Sequence, residues 1–388
     1  MSGLPLTLML VCGEPSGDQL GAQLMAGLRE IAGGNVRIIG VGGAAMTAQG
    51  LHSLYPLDAT AVMGLREVVP RIPAILRRVR QARDYALEER PDAIVCIDSP
   101  DFTHRIARAV KARAPEIRTV NYVAPQVWAS RQYRARQMAH YFDLVLALFP
   151  FEVKFFDKYH LAARFVGHPV IERAAWMKGG AELRARLGIA ADAPVLAILP
   201  GSRASEVRFL MPVYRDAVAQ IAAAVPSLRC VLPTVPNVAA QVREALKDWT
   251  VAADFLEGDA DKYAAMNAAN VALAASGTVT TELALARVPE VVAYKLGWLT
   301  YFLARRFIRV KHATLVNILL DREAVPEFIQ ERATPENLSR AVIHLFQDAQ
   351  ARAEQVKALA EATHDLGQDE EPPSRRAARA LLAFAKAK

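Results

Sequence analysis

The chain has 388 residues, 53% apolar and 22% charged, with 21 Gly and 22 Pro spread along it. This excludes intrinsic disorder and collagen-like sequence, and a prior of roughly 150 residues per domain gives about two or three domains. Lys and Arg outnumber Asp and Glu by 47 to 40, which suggests an anionic partner and leaves nucleic acid, a phosphorylated metabolite and an anionic bilayer all open.

In chain order, Leu6 to Cys12, Val36 to Gly40, Ala93 to Asp98, Arg118 to Val123 and Leu144 to Phe149 are short apolar runs separated by amphipathic stretches. They read as buried parallel strands of a doubly wound α/β domain. After a polar stretch near Met177 to Glu182 the pattern restarts with Pro194 to Leu199, Leu228 to Leu232, Val271 to Ala274 and Glu290 to Tyr294. The expected architecture is therefore two α/β domains facing a cleft, residues 1–172 and 173–345, followed by helices over 346–388 that pack back on the first. No apolar run reaches the ~18 residues of a spanning helix. The start of the chain enters a Gly/Asp turn at once and reads as a strand, so a cytoplasmic address is expected. Cys12, Cys96 and Cys230 sit in strand-like runs without metal or redox spacing and read as reduced core residues.

Five loops carry chemistry-bearing residues. GEPSGD, with Glu14, Ser16 and Asp18, follows the first strand and opens a helix, and IDSPDF puts Asp98 at a strand end. Asp98 suits a general base and equally a structural turn. LPGSRASE, with Gly201, Ser202, Arg203 and Glu206, joins a strand to a helix tip that favours negative charge. It would suit a diphosphate, and Glu206 alternatively reads as a cap. ASGTVTTE offers Ser276, Gly277 and Thr278 as further phosphate donors, with Glu282 able to accept from a ribose diol; helix capping explains it as well. NYVAPQVWASR, containing Gln126, has the aromatic, amide and cationic groups of a sugar-binding wall, although core packing of Tyr122 and Trp128 accounts for it when taken alone. FVGHP reads as a hinge, with His168 more simply structural. A rival G-x-G-x-x-A pattern at Gly40, Gly42 and Ala45 loosely matches a dinucleotide fingerprint, but it follows the second strand and Gly50 and Pro56 break its helix. No P-loop, metal-spaced Cys/His cluster or G-x-S-x-G is present, and Asp259 and Asp261 read as caps.

GEPSGD, GVGGAAM, DSPDF, APQVW, FVGHP, LPGSR with Glu206, SGTVTTE and LVNILL, taken together and in order over residues ~5 to 330, closely resemble the lipid-A-disaccharide synthase family. The resemblance implies an inverting glycosyltransferase of GT-B fold. It would join UDP-2,3-diacylglucosamine to 2,3-diacylglucosamine 1-phosphate through a β-1,6 linkage and release UDP, with no cofactor or metal. It further implies Asp98 as base, with Arg203, Ser202 and the Ser276 to Thr278 helix start on the diphosphate and Glu282 on the ribose. Glu14, Ser16 and Asp18 would line the acceptor side, and Asn317 and Gln330 are further candidates. One departure is Ser130, where the family commonly has a second Trp, and it bears on how an acceptor sugar or acyl chain stacks.

Acylated substrates require a membrane surface. Val62 to Arg80 supplies Met63, Val68, Val69, Ile72 and Leu76 beside Arg77 and Arg78, a pattern equally compatible with a helix packed on the sheet. A second basic cluster lies at Trp298 to Lys311. The basic balance then needs no nucleic acid, and the expected location is the cytoplasmic face of the inner membrane, with a homodimer left open. Competing readings are a UDP-N-acetylglucosamine 2-epimerase of the same fold, a nucleic-acid-binding protein and a dehydrogenase.

Overall fold

This computed structural model describes residues 5–57, 72–128, 132–297 and 311–387. The chain divides into two compact units, Met1–Pro169 with Leu366–Lys388, and Val170–Asp365.

The first unit holds six strands: β1 (Leu6–Cys12), β2 (Val36–Val41), β3 (Ala93–Ile97), β4 (Arg118–Tyr122), β5 (Leu144–Ala147) and β6 (Ala163–Phe165). Their order is β2-β1-β3-β4-β5-β6 and the pairings are parallel. β3 is buried along its whole length, because helices cover both faces of a parallel sheet and a central strand then reads as a continuous apolar run. The closing helix Pro373–Lys386 belongs to this unit. It lies against helix Pro15–Ala32, where a side chain at Gly27 would meet the Ser374 carbonyl oxygen at 3.0 Å.

The second unit repeats the plan with β7 (Val195–Leu199), β8 (Arg229–Thr234), β9 (Ala253–Glu257), β10 (Val271–Ala275), β11 (Glu290–Tyr294) and β12 (Glu327–Ile329), in the order β12-β11-β10-β7-β8-β9. β7 and β10 are buried throughout.

In each sheet the chain turns back on itself at one place. β1 lies between β2 and β3, and β7 lies between β8 and β10. The register pairs Cys12 with Ile97 and Leu199 with Ala274, so the loops leaving β1 and β3 emerge side by side, as do those leaving β7 and β10. Such switch points at the carboxyl ends of strands are where open α/β sheets bind ligands. Among the described residues no helix is long and apolar enough to cross a membrane.

Candidate active site

At the first switch point, β3 ends in two consecutive non-glycine residues with left-handed backbones, Asp98 (φ 53°) and Ser99 (φ 46°). Such residues cost about 1 to 3 kcal/mol each and persist only where their surroundings fix them. Here the Asp98 N–H donates to the Tyr122 carbonyl at 3.1 Å, and Thr103 Oγ1 donates to the Asp98 carbonyl at 2.7 Å. The turn projects the Asp98 carboxylate, which accepts a hydrogen bond from Ser16 Oγ at 2.8 Å. Gly13 permits this approach, because a Cβ there would lie 2.8 Å from Ser99 Cβ. Glu14 joins the cluster, its carboxyl raised above the ordinary range by burial and by Asp98, with the Ser99 hydroxyl opposing the shift.

Asp18, on the same helix as Ser16, is bonded to backbone. It is 5% exposed, and its two oxygens accept the N–H groups of Gly43, Ala45 and Met46 at 2.7, 2.8 and 3.0 Å. These are donors at the start of helix Ala44–Ala48, the ones a dinucleotide diphosphate would need. The chain's own carboxylate thus occupies the rival G-x-G-x-x-A motif.

Gln126 is exposed. Two residues on, Trp128 Nε1 donates to Glu152 Oε1 at 3.1 Å, and its ring meets Phe149 and Phe151 edge-on. Glu152 also accepts from the Leu148 and Phe149 N–H groups, and burial raises its carboxyl to about 7. Tyr122 is core, and His168 stacks on Phe149. From the basic apolar segment, Ile72 is 44% exposed, Leu76 half-buried and Arg77 exposed, while Arg78 lies over the Tyr55 ring at 4.7 Å. Met63, Val68, Val69, Ser130 and the arginines of the Trp298 to Lys311 cluster lie outside the described residues.

At the second switch point, Gly201 has φ 107°, and a Cβ there would lie 2.4 Å from Glu206 Oε2. Glu206 is buried and spent on structure: Oε2 accepts the N–H groups of Ser202 and Arg203 at 3.0 and 3.2 Å, and Oε1 holds Arg203 Nη1 at 2.7 Å. It caps helix Ala204–Ala224 and aims the guanidinium. The anion donors left in this loop are therefore the Arg203 side chain, 69% exposed, and the Ser202 hydroxyl. Opposite, helix Thr278–Leu285 begins after Gly277, which has no side chain to cap it and open space where a Cβ would stand. Ser276 Oγ donates to the Ala313 carbonyl at 3.2 Å, so its hydroxyl proton is directed into the protein.

Glu282 is 3% exposed and surrounded by donors that the sequence did not suggest. Arg173 Nη1 approaches Oε1 at 2.6 Å, Lys262 Nζ lies 3.0 Å from both oxygens, and Tyr263 OH is 3.1 Å from Oε1. Nothing local marks these partners, since they come from segments 19 to 109 residues away.

Asn317 and Gln330, the two further candidates, each bracket a stretch of backbone. Asn317 is fully buried, accepts the N–H groups of Ala324 and Val325, and donates to the Val325 carbonyl and to Glu327. Glu327 in turn accepts from the Ala313 and Thr314 N–H groups, so this bracket sets the backbone against which Ser276 is anchored. Gln330 is a second bracket, accepting the Leu296 N–H at 2.6 Å and donating to the Leu296 carbonyl at 3.2 Å.

Residues 8–382 match a family model described as lipid-A-disaccharide synthetase. The lipid-A-disaccharide synthase of Rhodospirillum centenum is 49% identical over 378 residues, covering 97% of this chain and 94% of the relative. That of Paramagnetospirillum magneticum is 45% identical over 381 residues, covering 98% and 97%. Among solved structures, UDP-GlcNAc 2-epimerase from Neisseria meningitidis bound to UDP-GlcNAc superposes with TM-score 0.61 at 13% identity, covering 98% of each chain. MurG of Acinetobacter baumannii superposes with TM-score 0.59 at 18% identity, covering 98% and 99%. Identities this low speak for the fold alone, which is GT-B.

Proposed function

The chain belongs to the lipid-A-disaccharide synthetase family, and from that premise we propose that it condenses UDP-2,3-diacylglucosamine with 2,3-diacylglucosamine 1-phosphate. The products are the β-1,6-linked disaccharide 1-phosphate and UDP. The observation that carries this reading is that both sheets put their chemistry at a switch point. Asp98 and Ser16 stand at that of the first unit, and Arg203 and the Gly277 helix tip at that of the second.

The first unit takes the acceptor in this reading and the second takes the UDP-sugar. The acceptor 6-hydroxyl gives its proton to the Asp98 carboxylate as its oxygen bonds to the donor's anomeric carbon. The bond from that carbon to the diphosphate oxygen breaks on the opposite face, its electron pair leaves with UDP, and the configuration inverts. Negative charge grows on the diphosphate as this happens. The Arg203 guanidinium, preset by Glu206, and the N–H groups opening helix Thr278–Leu285 are fixed donors for that charge. Glu282 would accept from the ribose diol by exchanging one of its three present partners. Asp18, Glu206, Asn317 and Gln330 support these elements and need not touch substrate.

Both substrates carry acyl chains, and the protein would meet them at an anionic membrane surface on the cytoplasmic side. Ile72 and Arg77 are the described, exposed part of the surface we assign to that contact.

The test is UDP release by the purified protein. Release should require both acylated sugars, survive a chelator, and vanish in Asp98→Ala while UDP affinity stays unchanged. Turnover of UDP-N-acetylglucosamine with no acylated sugar present would favour an epimerase instead, and an Asp98→Ala variant of near wild-type rate would remove the base.

A further inference from the structure

Lined by Glu14 and by Ser99, the residue after Asp98, the first unit contains a cavity of about 290 Å³ that the reaction as described leaves unused. Its walls are apolar: Phe102, which is 7% exposed, and the half-buried Ile75 and Leu76 of helix Ile72–Glu89. Its polar lining is Glu14, Ser99, Asp101 and Arg105. Through Ser99 the cavity adjoins the proposed base. Gly13 keeps the space open, because a Cβ there would come within 3.0 Å of the Phe102 ring. Close-packed interiors leave few voids larger than a water molecule, and this one approaches the size of ligand pockets, which start near ~300 Å³. A sugar or nucleotide would match the polar lining and leave three apolar side chains against its hydroxyl groups. A hydrocarbon chain tethered to a polar ring matches both.

We propose that this slot holds one acyl chain of the acceptor sugar, with Leu76 and Phe102 setting the chain length the enzyme prefers. The inference rests on the transferase reading above and adds to it an acyl subsite at the switch point of the first sheet. One occupant is favoured by position. The slot opens within a residue of the proposed acceptor base, whereas the donor's diphosphate ligands belong to the second unit.

The experiment uses the full chain and a series of acceptors whose acyl chains shorten one methylene at a time. For the wild type, kcat/KM should fall about fourfold per methylene lost while the slot is being vacated. Leu76→Trp should move the optimum to shorter chains and Leu76→Ala to longer ones, with the donor's chain-length profile unchanged. Acceptor binding measured without donor, through the new indole's fluorescence in Leu76→Trp and by calorimetry in the wild type, should follow the same order. Unchanged acceptor profiles in both folded variants would overturn the slot, as would a shift confined to donor chains. A uniform loss at every chain length, accompanied by lost binding to anionic vesicles, would make Leu76 a membrane contact and overturn it too. Length-dependent acceptor binding by a wild type that releases no UDP would sink the transferase reading and leave the slot standing.

Discussion

Ser16 and Asp98 are 82 residues apart in sequence, yet the serine hydroxyl donates to the aspartate Oδ2 at 2.8 Å. The contact links the first turn of the helix after β1 to the strained end of β3, and it fixes the carboxylate's orientation. In the proposed reaction, a base held in this way would lack the freedom to turn from the proton it takes.

Replacing Asp98 with Asn keeps the shape and removes the proposed base, so kcat should fall about 10²- to 10⁴-fold with KM for UDP-sugar little changed. Ser16→Ala removes a hydrogen bond to a charged group and should cost kcat roughly 10- to 100-fold. Steady-state kinetics on the two variants should show this ranking, and a larger loss for Ser16→Ala would make serine the more direct participant.

Gly201→Ala tests the loop that aims Arg203. The φ of 107° disfavours any side chain, and the new Cβ would sit 2.4 Å from Glu206 Oε2. The cap must then shift and carry Arg203 with it. We expect a stability loss of about 1 to 3 kcal/mol and a donor KM raised at least tenfold, with the acceptor KM unaltered. Denaturant melts and initial rates check both parts.

Much of this was legible in the sequence, and what was missed shares a physical cause. β1 and β11 have the expected limits, and most other expected strands are displaced by only a residue or two. β6, β9 and β12 were not anticipated, and all three are sheet edges. An edge strand is not covered on both faces by helices and neighbours, so segments such as ADFLE at β9 carry charge and lose the apolar run that marks a central strand. The site divides similarly. The positions of Asp98, Arg203 and Ser276 to Thr278 at strand ends were visible because strand ends announce themselves locally. Asp18, Glu206, Asn317 and Gln330 were visible as polar residues in motifs, but their partners are backbone groups that only the folded chain brings near.

Glu282 and Tyr263 offer a separate test. Glu282→Ala would leave Lys262, whose side chain is 17% exposed, without its carboxylate, and breaking a buried pair from one side costs about 3 to 5 kcal/mol. UDP affinity should fall with it. Tyr263→Phe removes one donor from Oε1 and leaves both cations in place, so it should cost only about 1 kcal/mol of stability and leave UDP binding unweakened. Calorimetric titration of UDP into both variants separates the roles. Unchanged UDP affinity in Glu282→Ala would reduce that carboxylate to structural support.

Two buried groups outside the site should give the units opposite responses to pH. Glu290 in β11 is fully buried, and neither of its oxygens has a hydrogen-bond partner among the described residues; burial, reinforced by Glu327, raises its carboxyl well above the ordinary range. The folded second unit therefore binds a proton that the unfolded chain releases above about 4.5, and stability contributed by the neutral acid falls as pH rises beyond that point. His104 in the first unit lies between Tyr141 OH at 3.1 Å and Asn121 Nδ2 at 3.3 Å, and burial, aided by the Arg108 and Arg134 cations, lowers it to about 3. Here the unfolded chain binds the extra proton, so stability is lost as pH drops from about 6.5 toward 3. Each slope approaches about 1.4 kcal/mol per pH unit inside its window. Hydrogen exchange of β11 amides should therefore speed up from pH 5 to 8, after correction for intrinsic rates, and that of β3 amides should speed up from pH 6 to 4. Glu290→Met should abolish the first trend, leave the second, and stabilise the second unit more at pH 8 than at pH 5, because it replaces an unpaired buried carboxyl with a side chain of similar volume. A β11 response that survives this substitution would place the responsible group elsewhere.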